Sequence, residues 1–153
     1  MKVAIAADHG GFPLKEALLP FIESLGHEVI DLGAHQYDAI DDYPDFARYV
    51  GQAIQHEQVE RGIIICGSGV GASVASNKIK SVRAAVCHDG YSAGQGVEHD
   101  DMNVLCLGSR VIGVATGELV VTAFLAASFS GEERHLRRLE KVKAIEAAGE
   151  FKV

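Results

Sequence analysis

Five short apolar runs, each closed by glycine or a polar pair and each followed by a stretch of helical spacing, constrain this chain more than any other feature. The first run, Val3–Ala7, ends in Asp8-His9-Gly10-Gly11. Leu14, Leu18, Phe21, Ile22 and Leu25 then recur at helical spacing, which predicts a helix from Leu14 to Leu25 with Gly26 as its stop. His27–Leu32 reads as a second strand, followed by a polar loop from His35 to Asp42 and a helix from about Pro44 to Ile54. Ile63–Cys66 is β-branched and apolar throughout, as a strand buried on both faces must be. Gly67–Gly71 follows it and leads into a helix over Ala72–Lys78. Arg83–Cys87 and Asn103–Leu107 read as strands four and five, with Asp89–Glu98 as a glycine-weakened helix between them. Val114–Phe129 predicts an apolar helix and Glu132–Ala148 a charged amphipathic one.

Strands alternating with helices imply an α/β, Rossmann-like three-layer fold: a five-stranded parallel sheet with helices on both faces. The chain has 153 residues, the size of one domain, and its 48% hydrophobic content is enough to build a core. Its longest apolar runs are too short to cross a bilayer, and Met1-Lys2-Val3 leads directly into a strand, which leaves no room for a signal peptide. A net charge of −7 disfavours nucleic acid or an acidic membrane surface as partner. Three cysteines, an odd number at the ends of apolar runs, fit reduced thiols in a cytoplasmic protein better than a disulfide framework.

Parallel sheets place their sites at the C-terminal ends of the strands. In this chain the polar residues collect there: Asp8-His9, Cys66 to Gly71, His88-Asp89 and Gly108-Ser109-Arg110. Cys66-Gly67-Ser68-Gly69-Val70-Gly71 is the sharpest signal. Its glycines let several N–H groups converge on an anion, and the helix start adds partial positive charge. A thiol in such a place should have a lowered pKa. The alternative is a small buried cysteine before a tight turn. The same stretch also fits a dinucleotide fingerprint, Gly67-x-Gly69-x-x-Ala72, with Asp89 in range for a ribose contact. Asp8-His9 suits proton sharing, or else a helix cap beside an exposed histidine. His99-Asp100-Asp101 raises the same pair of readings, and no histidine–carboxylate spacing is firm enough to predict a metal. Arg134 and Arg138 share one helix face and suit a phosphate, or a solvated face paired with Glu133 or Glu140.

Taken together, these segments resemble the type B ribose-5-phosphate isomerases and their galactose-6-phosphate isomerase relatives. The resemblance is carried by Ala7-Asp8-His9-Gly10-Gly11, Asp42-Tyr43-Pro44-Asp45, Ile65 to Gly71, Ala75-Ser76-Asn77-Lys78 and Val82-Arg83-Ala84-Ala85. Glu98 to Val104, Leu107 to Gly113 and Arg134-His135-x-x-Arg138 continue it over nearly the whole chain. It implies an aldose–ketose isomerase of phosphorylated sugars that needs neither metal nor organic cofactor. Ribose 5-phosphate is the default substrate; a tetrose or hexose phosphate, or a non-catalytic binding domain, are the alternatives.

By the resemblance, Cys66 moves a proton between C1 and C2 through a cis-enediolate. Ser68 helps protons pass between the two oxygens, and N–H groups of Gly67, Gly69 and Gly71 stabilise the developing charge. His99 with Asp8 opens the furanose ring. His9, Arg110, Arg134 and Arg138 hold the phosphate, and Tyr43 and Asp100 fall among the substrate-binding positions. The family shares sites across a homodimer, or a dimer of dimers, so His99 and Arg110 would serve the neighbouring subunit's Cys66. The C-terminal helix, about 132–148, would lie at that interface. Two departures bear on which sugar is accepted: Asp100 stands where asparagine is usual, and Ala93 to Val97 lacks an arginine common in relatives.

Overall fold

A computed structural model describes residues 1–148; the last five residues of the expected 1–153 domain lie outside the described residues. The strands are β1 (Lys2–Ala7), β2 (Glu28–Asp31), β3 (Arg61–Cys66), β4 (Ala84–Val86) and β5 (Val104–Gly108). Between and after them run α1 (Phe12–Ser24), α2 (Tyr43–Gln55), α3 (Val70–Ser76), α4 (Gly90–Asp100), α5 (Val114–Ala126) and α6 (Glu133–Ala148). All strand pairs are parallel, in the order β2-β1-β3-β5-β4.

Period-two alternation along the strands divides the core between two layers. Val3, Ile5, Ala7, Ile63, Ile65, Leu105 and Leu107 pack with α1, α4 and α5. Ala4, Ala6, Ile64, Cys66, Val104 and Cys106 face α2 and α3. Ile63, Ile64 and Ile65 are wholly inaccessible, which stabilises the fold by about 1.5–3 kcal/mol for each side chain. That double burial explains why β3 is a continuous apolar run instead of an alternating one.

Most element boundaries shift by one or two residues from the sequence expectation, and for three of the differences the structure shows a physical reason. Pro13 sits in the first turn of α1, where a missing N–H is harmless, so the helix opens at Phe12 and not at Leu14. Gly69 takes a left-handed conformation with φ of +79°, which turns the chain early and starts α3 at Val70. The apolar run to Phe129 stops being helical at Ala126, because Ala127 is extended and the Arg61 guanidinium takes the Phe124 and Ala127 carbonyls.

Register aligns the loops that matter. Ala7 pairs with Ile65, and Cys66 with Gly108, so the loops after β1, β3 and β5 leave the sheet side by side. The chain also reverses direction across the sheet between β1 and β3, the place where such sheets open a crevice.

Candidate active site

A cavity of about 310 Å³ opens at this crevice, lined by Asp8, Tyr43, Cys66, Gly67, Ser68, Gly71, Arg110 and Val111. Cys66 ends β3 at its floor, and its Sγ accepts the Gly69 N–H at 3.1 Å. The left-handed turn at Gly69 brings that N–H back over the sulfur. Ser68 is exposed at the rim, with Oγ accepting the Val70 N–H at 3.3 Å. The Tyr43 ring closes one wall against Gly71, where an added Cβ would come within 2.7 Å of it. Only glycine allows that approach.

Backbone hydrogen bonds fix the loops to one another. Ser109 N–H donates to the Cys66 carbonyl at 2.9 Å, and Arg110 N–H to the Gly67 carbonyl at 3.0 Å. The Ser109 hydroxyl donates to the Gly10 carbonyl. Gly108 N–H donates to His88 Nε2 at 2.9 Å, which ties the end of β4 to the same frame. Asp8 is buried, with Oδ1 accepting the Gly11 N–H at 3.0 Å. Burial pushes its carboxyl above the ordinary carboxylate range, against the Gly11 N–H and the neighbouring His9, which pull it down. His9 donates its backbone N–H to Asp41 Oδ1 at 2.8 Å, and its ring Nδ1 lies 2.7 Å from the same oxygen.

The other expected site residues lie elsewhere in the chain. His99 is near the end of α4, with Nδ1 2.7 Å from the Gln95 amide nitrogen. Its ring stacks on His135 of α6 at 4.1 Å between centroids. Arg134 and Arg138 are exposed on α6, and Arg134 pairs with Glu132 at 2.8 Å. Asp100 lines a separate groove of about 900 Å³ between α4, residues 77–85 and the end of α6. Within one chain it is not among the residues that line the Cys66 cavity. Arg110 differs from what the resemblance implies: it lines the pocket of its own chain, not only a neighbour's, with Nε 3.6 Å from where a Gly67 Cβ would stand.

The family model described as Ribose/Galactose Isomerase matches residues 3–142. The chain belongs to this family. It is 43% identical over 145 residues to ribose-5-phosphate isomerase B of Escherichia coli, covering 95% of this chain and 96% of that one. The solved ribose-5-phosphate isomerase B of Clostridium thermocellum superposes with a TM-score of 0.93 at 43% identity, over 98% of this chain and 100% of that one. The Mycoplasma genitalium enzyme, solved with bound ribulose-5-phosphate, superposes with a TM-score of 0.90 at 39% identity, over 95% and 96% of the two chains.

Membership in the ribose/galactose isomerase family accords with how the competing features are used. Asp89, in range for a ribose in the dinucleotide reading, instead caps α4 by accepting the Ser92 N–H at 2.7 Å. Asp101 pairs with Arg83 at 2.7 Å and ends α4 in a left-handed turn, so it serves structure. Cys87 and Cys106 lie in the core; burial raises the Cys87 thiol to about 11 and drives that of Cys106 further up. Among the described residues no cluster of three or more His, Cys, Asp or Glu side chains is arranged to hold a metal. No helix among them is long and apolar enough to cross a membrane. Sequence reasoning gave no role to Asp41, Ser109, His88 or Gln95. His88 was visible only as a polar residue at a strand end, and Asp41 is one acid among several in the loop before α2.

Proposed function

We propose that this isomerase interconverts ribose 5-phosphate and ribulose 5-phosphate, with Cys66 as the base. The observation that carries the reading is Cys66 Sγ at the floor of a sugar-sized cavity, with the Gly69 N–H directed at it from 3.1 Å. The relatives' names supply the sugar. In the open-chain aldose the Cys66 thiolate removes the C2 proton, and the electron pair left behind forms the C1–C2 double bond of an enediolate. The same proton returns to C1 as the carbonyl forms at C2. Ser68 at the rim passes the hydroxyl proton from O2 to O1, and loop N–H groups face the developing oxyanion. Asp8, held above the ordinary carboxylate range, is suited to share a proton with the sugar ring oxygen. This chemistry draws on a base, an acid and an anion cradle alone.

The phosphate is held in this reading by His9 and Arg110, and by Arg134 and Arg138 reaching in from a second copy. His99 and α6 would come from that copy too, which makes the working unit a homodimer or a dimer of dimers. Three apolar side chains of α6, Leu136, Val142 and Ile145, are exposed in the single chain and support burial against a partner. The test is ketose formation from ribose 5-phosphate by purified protein in EDTA, beside tetrose and hexose phosphates, with Cys66→Ala as control. Turnover of ribose 5-phosphate lost in Cys66→Ala is the expected result. Turnover of another aldose phosphate alone would replace the sugar, and full activity in Cys66→Ala would remove the base.

A further inference from the structure

Asp41 is not among the residues that line the cavity, yet one of its oxygens engages His9 twice. Oδ1 accepts the His9 backbone N–H at 2.8 Å and lies 2.7 Å from ring Nδ1. Oδ2 is buried without a hydrogen-bond partner. The carboxylate is thus committed to His9, although 32 residues separate the two in sequence. With Nδ1 engaged, the ring is left with Nε2 as its free donor. Tyr37 packs edge-on against the ring at 6.4 Å between centroids.

We propose that Asp41 is a positioning residue that holds His9 as an oriented cation, so that its Nε2–H donates to the substrate phosphate across neutral pH. The inference rests on the reading above in which His9 binds that phosphate. Hydrogen bonding to Asp41 is the main cause that raises the His9 ring above its ordinary range, and Asp8 adds to it. The groups that face the ring are Asp8 from the β1 loop, and Asp41 and Tyr37 from the loop before α2; Arg110 lines the adjoining cavity. A raised histidine stays charged to higher pH, so phosphate affinity should persist until the folded-state pKa is passed and fall above it. The second proton of a phosphate monoester leaves near pH ~6, which separates the substrate's own titration from this upper limb.

The experiment follows KM for the sugar phosphate against pH in Asp41→Asn, together with the His9 ring titration by NMR in the same protein. Asparagine keeps an oxygen for both N–H groups and removes the charge. The expected result is a downward shift of about one pH unit in the His9 titration and in the upper limb of KM, falling on KM more than on kcat. In a His9→Gln background Asp41→Asn should shift nothing further. An unmoved His9 titration overturns the proposal outright. A titration that moves while KM does not also overturns it, and shows that the failure lies in His9 as phosphate ligand and not in the Asp41–His9 pair.

Discussion

Three cysteines lie on neighbouring strands, Cys66 at the end of β3, Cys106 within β5 and Cys87 just after β4, and their surroundings assign them different chemistry. Cys66 lines a cavity and receives an N–H on its sulfur. Cys87 is held protonated by burial, with Asp89 adding to the effect, and Cys106 is wholly inaccessible. Iodoacetamide at pH 8 should therefore modify Cys66 first, with millimolar sugar phosphate slowing the reaction. Peptide mapping reads this directly, and equal labelling of Cys87 would contradict the assignment. Replacing Cys66 by alanine should lower kcat by at least ~10²–10⁴-fold, the usual contribution of a positioned proton-transfer group. At this scale the sequence was most legible at the loop itself: a cysteine closing a β-branched run before three glycines marks a strand-end turn, and the structure puts that turn in the cavity wall. It was silent on Asp41, because a contact made across 32 residues by one of several loop acids has no local pattern. The resemblance alone places Asp100 with the substrate; within one chain it lines the groove beside α6, next to His99 in sequence.

Among the elements, the C-terminus of α5 shows what periodicity cannot read. The apolar run from Val114 to Phe129 offers no stop residue, yet the helix ends three residues before its expected end. The stop comes from β3: Arg61, at the start of that strand, donates to the Phe124 and Ala127 carbonyls and lies 5.2 Å over the Phe124 ring. Carbonyls left over at a helix end are satisfied from another layer of the fold. Arg61→Leu removes these charge-assisted bonds and leaves half-buried carbonyls unpaired. It should cost about 1.5–3 kcal/mol, read as a lower urea midpoint with an unchanged slope. Isomerase activity per folded molecule should change little, since Arg61 is at the opposite end of β3 from Cys66. A loss of activity without loss of stability would instead tie α5 to the site. Helix and strand existence was thus legible from spacing, while the strand order, with β5 inserted between β3 and β4, was not. Alternation specifies parallel pairing; which strands become neighbours is decided by tertiary packing.

At the level of the whole molecule, the expected site residues fall into two groups, only one of which lines the Cys66 cavity among the described residues. One is the cavity with Asp8, Cys66 and Arg110; the other is the α4–α6 corner, where His99 stacks on a buried His135 and Arg134 and Arg138 face outward. In the shared-site reading proposed above, a two-fold axis is the simplest operator that would bring each corner of one copy to the cavity of another, because a symmetric interface satisfies both pairs at once. This arrangement makes an arithmetic prediction. Cys66→Ala and His99→Ala proteins should each be inactive on furanose substrate, but a heterodimer of the two would contain one site with both groups intact and one with neither. Random exchange makes half the dimers mixed, so equal mixing after mild dissociation should restore about a quarter of wild-type activity. The recovery should track subunit exchange, followed by mass spectrometry of isotopically labelled partners. If both residues serve the same chain's site, mixed dimers contain no intact site and the mixture stays silent however completely the subunits exchange. The sequence suggests a shared site only through resemblance; what supports the proposal physically is that, among the described residues, His99 is not one of those lining the Cys66 cavity.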